Sequence, residues 1–148
     1  MTAPFFVDTN VLAYVQDRGQ GDKQLRAREW VDAILAEALP STSFQVLVEL
    51  YNVLTRKLAH PLVAAEARRL VSGLMSWAPI TPSQRLFTVA WEIEDRFGLS
   101  WWDAQIVAAA QLQGCAFLLT EDLQHGQRFG DVTIVNPFEA TPAEVLAR

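Results

Sequence analysis

Short apolar runs alternate along the chain with longer stretches in which apolar residues recur every three or four positions. "FFVD" (Phe5 to Asp8), "AFLLT" (Ala116 to Thr120) and "VTIVNP" (Val132 to Pro137) are too short and too evenly apolar for surface helices, and they predict buried strands. "API", between Trp77 and Pro82, predicts a further short strand. "TNVLAYVQ" reads as a short helix capped by Thr9 or Asn10. Leu25, Trp30, Val31, Ile34, Leu35 and Ala38 mark a helix over Lys23 to Leu39, which Pro40 ends. A hydroxyl of "STS" caps the next, Phe44 to Leu58, and His60-Pro61 breaks it. Further helices follow over Leu62 to Trp77 and over Ser83 to Phe97, the second stopped by Gly98. "SWWDAQIVAAAQLQG" is apolar on nearly every side, the mark of a buried helix. "DRGQGDKQ" and "EDLQHGQRFGD" read as loops, and "FEATPAEVLAR" as a tail that caps the surface.

Strands that alternate with helices predict a parallel sheet covered on both faces, an α/β sandwich. Ligands of such sheets sit at the carboxyl ends of strands, which singles out Asp8 and the segment Thr120 to Asp122. The 148 residues suit a single domain over 1–148. A hydrophobic fraction of 51% builds a core without staples, and one cysteine, Cys115, fits a reducing cytoplasm. Neither a signal peptide nor an apolar run of about 18 residues is visible, so a soluble cytoplasmic protein with no membrane association is expected. The net charge of −5 argues against a protein that coats nucleic acid, but not against an enzyme that acts on it.

Each acid at the expected sheet edge has two readings. Asp8 is either a helix cap or a metal ligand at the end of the first strand. Asp103 completes a capping box with Ser100, yet it is the only charge between Arg96 and Glu121 and stands at the mouth of a buried helix. Glu49 falls opposite the face formed by Phe44, Leu47, Tyr51, Leu54 and Leu58. It is either solvated or turned into a polar cleft, since Val46 and Val53 flank it. Glu121 and Asp122 follow the strand "AFLLT". Several carboxylates converge only where a cation offsets their repulsion, and an all-oxygen set selects Mg²⁺ or Mn²⁺ over zinc. That is the chemistry of metal-assisted phosphodiester hydrolysis.

Other chemistries lack their signatures. His60 and His125 are too far apart in sequence and too few for a zinc site, Gly19 and Gly21 precede no phosphate-loop lysine, and no G-x-S-x-G elbow exists. Cys115 reads as a packed thiol. Trp101 and Trp102, just before Asp103, are the tryptophans suited to floor a cleft or stack a base.

The stretches "FFVDTNVLAY", "STSFQVLVELYNVLTRKL", "WWDAQIVAAA", "LLTEDLQHG" and "TIVNPF", in this order, resemble the PIN-domain ribonucleases, and among them the VapC toxins of bacterial toxin–antitoxin pairs. The resemblance implies a five-stranded parallel sheet between helices, a PIN-like three-layer sandwich. It implies that Asp8, Glu49, Asp103 and Asp122 form an acidic cluster for Mg²⁺ or Mn²⁺. In this reading Asp8 and Asp103 are the primary ligands, Asp122 completes the site directly or through water, and Glu49 orients or deprotonates the attacking water. Asn10 supports the first aspartate. "TED" supplies Thr120 and Asp122 and leaves Glu121 as the variable position. An RNA substrate, a homodimer and a cognate VapB-like antitoxin are expected, with Arg56 and Lys57 as phosphate contacts. The competing readings are an RNA-processing PIN nuclease outside a toxin–antitoxin pair, a phosphoryl-transfer domain with a nucleophilic Asp8, and a binding module without catalysis. The phosphoryl-transfer reading lacks a second aspartate at Asn10 and a lysine in "TIVNP".

Overall fold

A computed structural model describes residues 4–37 and 40–146. The strands are β1 (Phe5–Val7), β2 (Pro40–Ser41), β3 (Phe117–Leu119), β4 (Arg128–Phe129) and β5 (Val132–Val135). They form one sheet in the order β2-β1-β3-β5-β4. Phe5, Phe6 and Val7 are all fully buried, because both faces of the sheet are covered; this is why the strand is an unbroken apolar run rather than an alternation. The pairs β1–β2, β1–β3 and β3–β5 are parallel.

β4 corrects the expectation of a wholly parallel sheet. It pairs antiparallel with β5, turning through Gly130 at φ 61, inside the stretch expected to be a loop. β2 was likewise unexpected; Pro40 follows the helix and opens an edge strand, where a missing N–H is tolerated. The strand expected at "API" reduces to a single parallel bridge between Ser43 and Ile80.

The helices are α1 (Thr9–Gln16), α2 (Asp22–Glu37), α3 (Phe44–Arg56), α4 (Ala64–Gly73), α5 (Gln84–Phe97), α6 (Trp101–Leu112) and α7 (Pro142–Leu146), with 3₁₀ turns at Arg18–Gln20 and Leu74–Trp77. The turn at Arg18–Gln20 lies in the stretch expected to be a loop. The second 3₁₀ turn finishes the helix expected to continue to Trp77. In α2, Ala27, Trp30 and Ile34 are buried while Leu25 and Leu35 are exposed, so the apolar stripe is narrower than its spacing implied. The helix's expected end, Ala38 and Leu39, lies outside the described residues. In α3 the buried face is Val46, Leu47, Leu50 and Leu54, rotated from the expected Phe44–Tyr51–Leu58 face. Ser43, Ser83 and Ser100 cap α3, α5 and α6 through their hydroxyls, and Gly98 closes α5 in a left-handed conformation.

The tail does more than cover the surface. Trp30, fully buried, donates its indole N–H to the carbonyls of Pro137 at 3.2 Å and Ala140 at 3.0 Å, which fastens the segment before α7 to α2. No helix among the described residues is long and apolar enough to cross a membrane.

Candidate active site

The edge where β1 and β3 end carries the acids. The N–H of Asp8 donates to the carbonyl of Leu119 at 3.1 Å, which extends the ladder by one residue and fixes Asp8 at the sheet's carboxyl edge. Asp8 is also the cap of α1: its Oδ1 accepts the N–H of Thr9 at 2.7 Å. The expectation that Thr9 or Asn10 would cap, leaving Asp8 free, is therefore corrected. A carboxylate has two oxygens, and Asp8 uses Oδ1 for the helix and turns Oδ2 to Thr120.

Thr120 is the hub of the network. Its hydroxyl donates to Asp8 Oδ2 at 2.9 Å and accepts from Asn10 Nδ2 at 3.0 Å and from the N–H of Asp122 at 3.1 Å. Asn10 Nδ2 also reaches Asp122 Oδ2 at 3.0 Å and Asp8 Oδ2 at 3.4 Å; two amide hydrogens serve three acceptors, so the longest contact is the weakest. The other end of Asn10, Oδ1, accepts the N–H of Glu121 at 3.3 Å.

Glu49 faces this network across α3, in the cleft rather than in bulk solvent. Its Oε2 accepts from Thr9 Oγ1 at 3.1 Å and its Oε1 from Gln45 Nε2 at 3.1 Å. Gln45 Nε2 also donates to the carbonyl of Trp102 at 3.3 Å, which ties α3 to the first turn of α6. There Asp103 occupies the third position, its N–H donating to Ser100 Oγ at 3.1 Å, as a capping arrangement requires.

The electrostatics join the four acids. Burial pushes the Asp8 carboxyl up to about 7, against hydrogen bonds from Thr9 and Thr120, and the charges of Asp122 and Glu49 push it further in the same direction. Asp103 is also raised, first by burial and then by Asp122 and Glu49, with Ser100 opposing. The same two carboxylates thus act on both aspartates. Among the described residues the one ion pair is Lys23 with Glu121, so no basic side chain neutralises the four. Oxygen donors in excess negative charge fit a hard divalent cation. Among the described residues no three acids stand close enough together to wrap an ion by themselves.

A groove of about 530 Å³ opens from Glu49 and Asp122 and runs between α1 and α3. Lys57 lines it; Arg56 does not, but stands exposed with Nη1 on Thr55 Oγ1 at 2.8 Å. Neighbours that the sequence did not flag also lie here. Tyr14 donates its hydroxyl to Glu121 Oε1 at 2.6 Å, and Lys23 pairs with Glu121 Oε2 at 3.3 Å. These contacts join residues about a hundred positions apart and leave no local pattern. Thr9 could have been suspected from "DTN", as a hydroxyl beside the strand-end acid.

The remaining candidates fall outside the network. Trp101 packs on Phe87 and Trp91, with ring centroids 5.3 and 6.1 Å away, while Trp102 is 64% exposed. His125 accepts the N–H of Asn136 at Nδ1, a structural contact. Burial pushes the Cys115 thiol up to about 11, which leaves it unreactive.

The sequence model of the family described as PIN domain matches residues 5–128. No protein of curated function matches the chain. Solved structures that share its fold include three of toxin–antitoxin proteins. VapBC2 from Rickettsia felis, bound to a DNA fragment from its promoter, has 14% identity and a TM-score of 0.62 over 88% of this chain and 96% of that one. VapC20 from Mycobacterium tuberculosis, a toxin that cleaves the sarcin–ricin loop, has 22% identity and a TM-score of 0.55 over 77% and 86%. A toxin–antitoxin complex from Klebsiella pneumoniae has 21% identity and a TM-score of 0.58 over 89% and 96%.

Proposed function

The chain belongs to the PIN-domain family, and from that premise we propose that it is a divalent-metal-dependent endoribonuclease, the toxin of a toxin–antitoxin pair. The observation that carries the reading is the shared field of the four acids: Asp122 and Glu49 raise both Asp8 and Asp103, and among the described residues no basic side chain pairs with any of the four. Asp8, through Oδ2, and Asp103 would hold Mg²⁺, or Mn²⁺ in its place, and Asp122 would complete the set directly or through water. Held by these residues, such an ion would supply Lewis-acid activation of water and charge stabilisation at the leaving oxygen.

The chain's own residues do the rest. Thr9 and Gln45 hold one oxygen of Glu49 each, so Glu49 is aimed to orient the attacking water and take its proton. Asn10 and Thr120 fix Asp8 and Asp122 relative to each other, the outer-shell support on which ligand geometry depends. Lys57, which lines the groove, and Arg56, exposed beside it in sequence, would meet phosphates of the substrate.

Cleavage of an RNA loop by a structural neighbour supports RNA as the substrate class. Neighbours solved as toxin–antitoxin assemblies support a cognate antitoxin. The apolar cleft of about 260 Å³ between α1, α2, α3 and α4, floored by Leu50, Leu54 and Trp77, is the surface we assign to it. A homodimer is part of the same proposal. Its proposed compartment is the cytoplasm.

The test is cleavage of RNA by the purified chain with Mg²⁺ or Mn²⁺, and growth arrest on its expression. Loss of both in folded Asp103→Asn protein is the expected result. Metal-independent cleavage, or cleavage that survives Asp8→Asn and Asp103→Asn, would sink the reading.

A further inference from the structure

Two acids stand side by side in the loop after β3, and one of them joins the acid cluster. Asp122 Oδ2 accepts from Asn10 Nδ2 at 3.0 Å. The charges that raise Asp8 and Asp103 are those of Asp122 and Glu49; Glu121 is not among them. Both oxygens of Glu121 are engaged elsewhere. Oε1 accepts the Tyr14 hydroxyl at 2.6 Å, and Oε2 accepts from Lys23 Nζ at 3.3 Å.

The sorting is done by α1. Asn10 and Tyr14 lie four residues apart, so they share a face of that helix, one turn apart. Asn10 holds the Asp122 carboxylate through Nδ2 and the Glu121 N–H through Oδ1, the latter at 3.3 Å. Tyr14 holds the Glu121 side chain. Two side chains of one rigid element thus grip two successive residues and set the register of the loop against it. Lys23 backs the grip from α2. Its Nζ is 3.4 Å from the Tyr14 hydroxyl and lies over the rings of Tyr14 and Phe138, 5.2 and 4.8 Å from their centroids. Those two rings meet edge to face at 5.1 Å. The ion pair itself contributes little to stability, since the Lys23 side chain is 47% exposed. The Tyr14 bond differs in kind: a short hydroxyl bond to a carboxylate is strong and directional, so it fixes position.

We propose that Tyr14, backed by Lys23, is a positioning residue that acts through Glu121: it anchors the loop, keeps Glu121 out of the acid cluster, and leaves Asp122 as the acid that completes it. The inference rests on the metal reading for what Asp122 does, and not for the anchoring of the loop. With the anchor gone, Glu121 swings free beside a site already crowded with carboxylates, and Asp122 loses its fixed place there.

Tyr14→Phe is the informative variant, because it keeps the ring against Phe138 and removes the hydroxyl. Hydrogen exchange in the metal-free chain reads the loop, since the N–H groups of Glu121 and Asp122 are bonded to Asn10 Oδ1 and Thr120 Oγ1. Mn²⁺ titration, followed by the electron paramagnetic resonance of the free ion, reads the site. The expected result is a roughly tenfold loss of protection at those two amides, with Leu118, Leu119 and the melting temperature unchanged. Mn²⁺ is expected to bind roughly tenfold more weakly. Lys23→Met is expected to show a smaller loss in both readouts, and Lys23→Arg to restore it. In a Glu121→Ala background, Tyr14→Phe is expected to add nothing. Unchanged protection in Tyr14→Phe overturns the inference, whether or not the ion binds. Lost protection with undiminished Mn²⁺ affinity overturns the role in the site. A loss of equal size in the Glu121→Ala background would show Tyr14 acting by another route, and a loss spread over β3 with a lower melting temperature would make it a structural residue; either overturns the inference. A wild-type chain that binds no Mn²⁺, while Tyr14→Phe still loosens the two amides, sinks the metal reading and leaves the anchor standing.

Discussion

On one side of α1, Asn10 and Tyr14 reach polar groups beyond β3: Thr120, Glu121 and Asp122. On its other side, Leu12 and Val15 meet Leu50, Leu54, Leu70 and Trp77 in an apolar cleft. The two sides obey different physics. The apolar side gains stability with each methylene removed from water. The polar side gathers like charges and holds them by hydrogen bonds, at the expense of stability. Its Asp8 shows this most clearly. The carboxyl rises from 3.8 to about 7 on folding. The folded chain therefore binds more protons than the unfolded chain between those values, and this group's contribution to stability falls as pH rises from about 4 to 7. One helix thus serves as a stabilising wedge on one flank and a mount for crowded carboxylates on the other.

Substitutions that separate the flanks test this comparison. The largest effect is expected from Asp8→Asn: cleavage falls on the order of 10³-fold, while the melting temperature in chelator rises, with a gain on the order of 2 kcal/mol near neutral pH. A variant that loses both activity and stability would break the contrast. Leu54→Ala, on the apolar flank, is expected to cost about 3 kcal/mol in urea melts and to leave turnover per folded molecule unchanged. Asn10→Ala removes the donor that serves Thr120 and Asp122; activity and metal affinity are expected to drop roughly 10- to 100-fold with little change in folding. The pH profile sharpens the point further. Cation binding must displace a proton from Asp8 below its raised value, so apparent metal affinity measured by titration falls by up to about tenfold per pH unit below 7. The smallest effect belongs to Lys57→Ala: a few-fold rise in KM and a shallower salt dependence, read from cleavage at two ionic strengths.

The same contrast governs what the sequence reveals. The apolar runs of β1, β3 and β5, a capping hydroxyl within "STS", and the caps Ser100 and Gly98 are local features, and they were legible; which hydroxyl of "STS" caps, and that Ser83 caps α5 rather than beginning it, were not. β2 and β4 were not: two residues carry no period, and only pairing with β1 and β5 makes them strands. The face of Glu49 is settled by α6, whose Trp102 carbonyl engages Gln45, so no helical projection of α3 alone decides it. Arg56 and Lys57 are adjacent and chemically alike, yet about 100° of helical rotation sends one outward and the other into the groove. The acids of the edge could be nominated singly from strand ends and helix starts. Their common field, with the hub at Thr120, exists only after residues 8, 49, 103 and 122 have been brought together.

The two-oxygen role of Asp8 has a consequence for how such a gene decays. One nucleotide change turns an aspartate codon into an asparagine codon, and asparagine keeps the α1 cap while discarding the charge. The easiest route to a silent allele therefore passes through a protein that folds better than its parent. If the chain arrests growth as proposed, populations under pressure to escape that arrest would accumulate folded, inactive copies, and protein level would be a poor guide to which alleles still function.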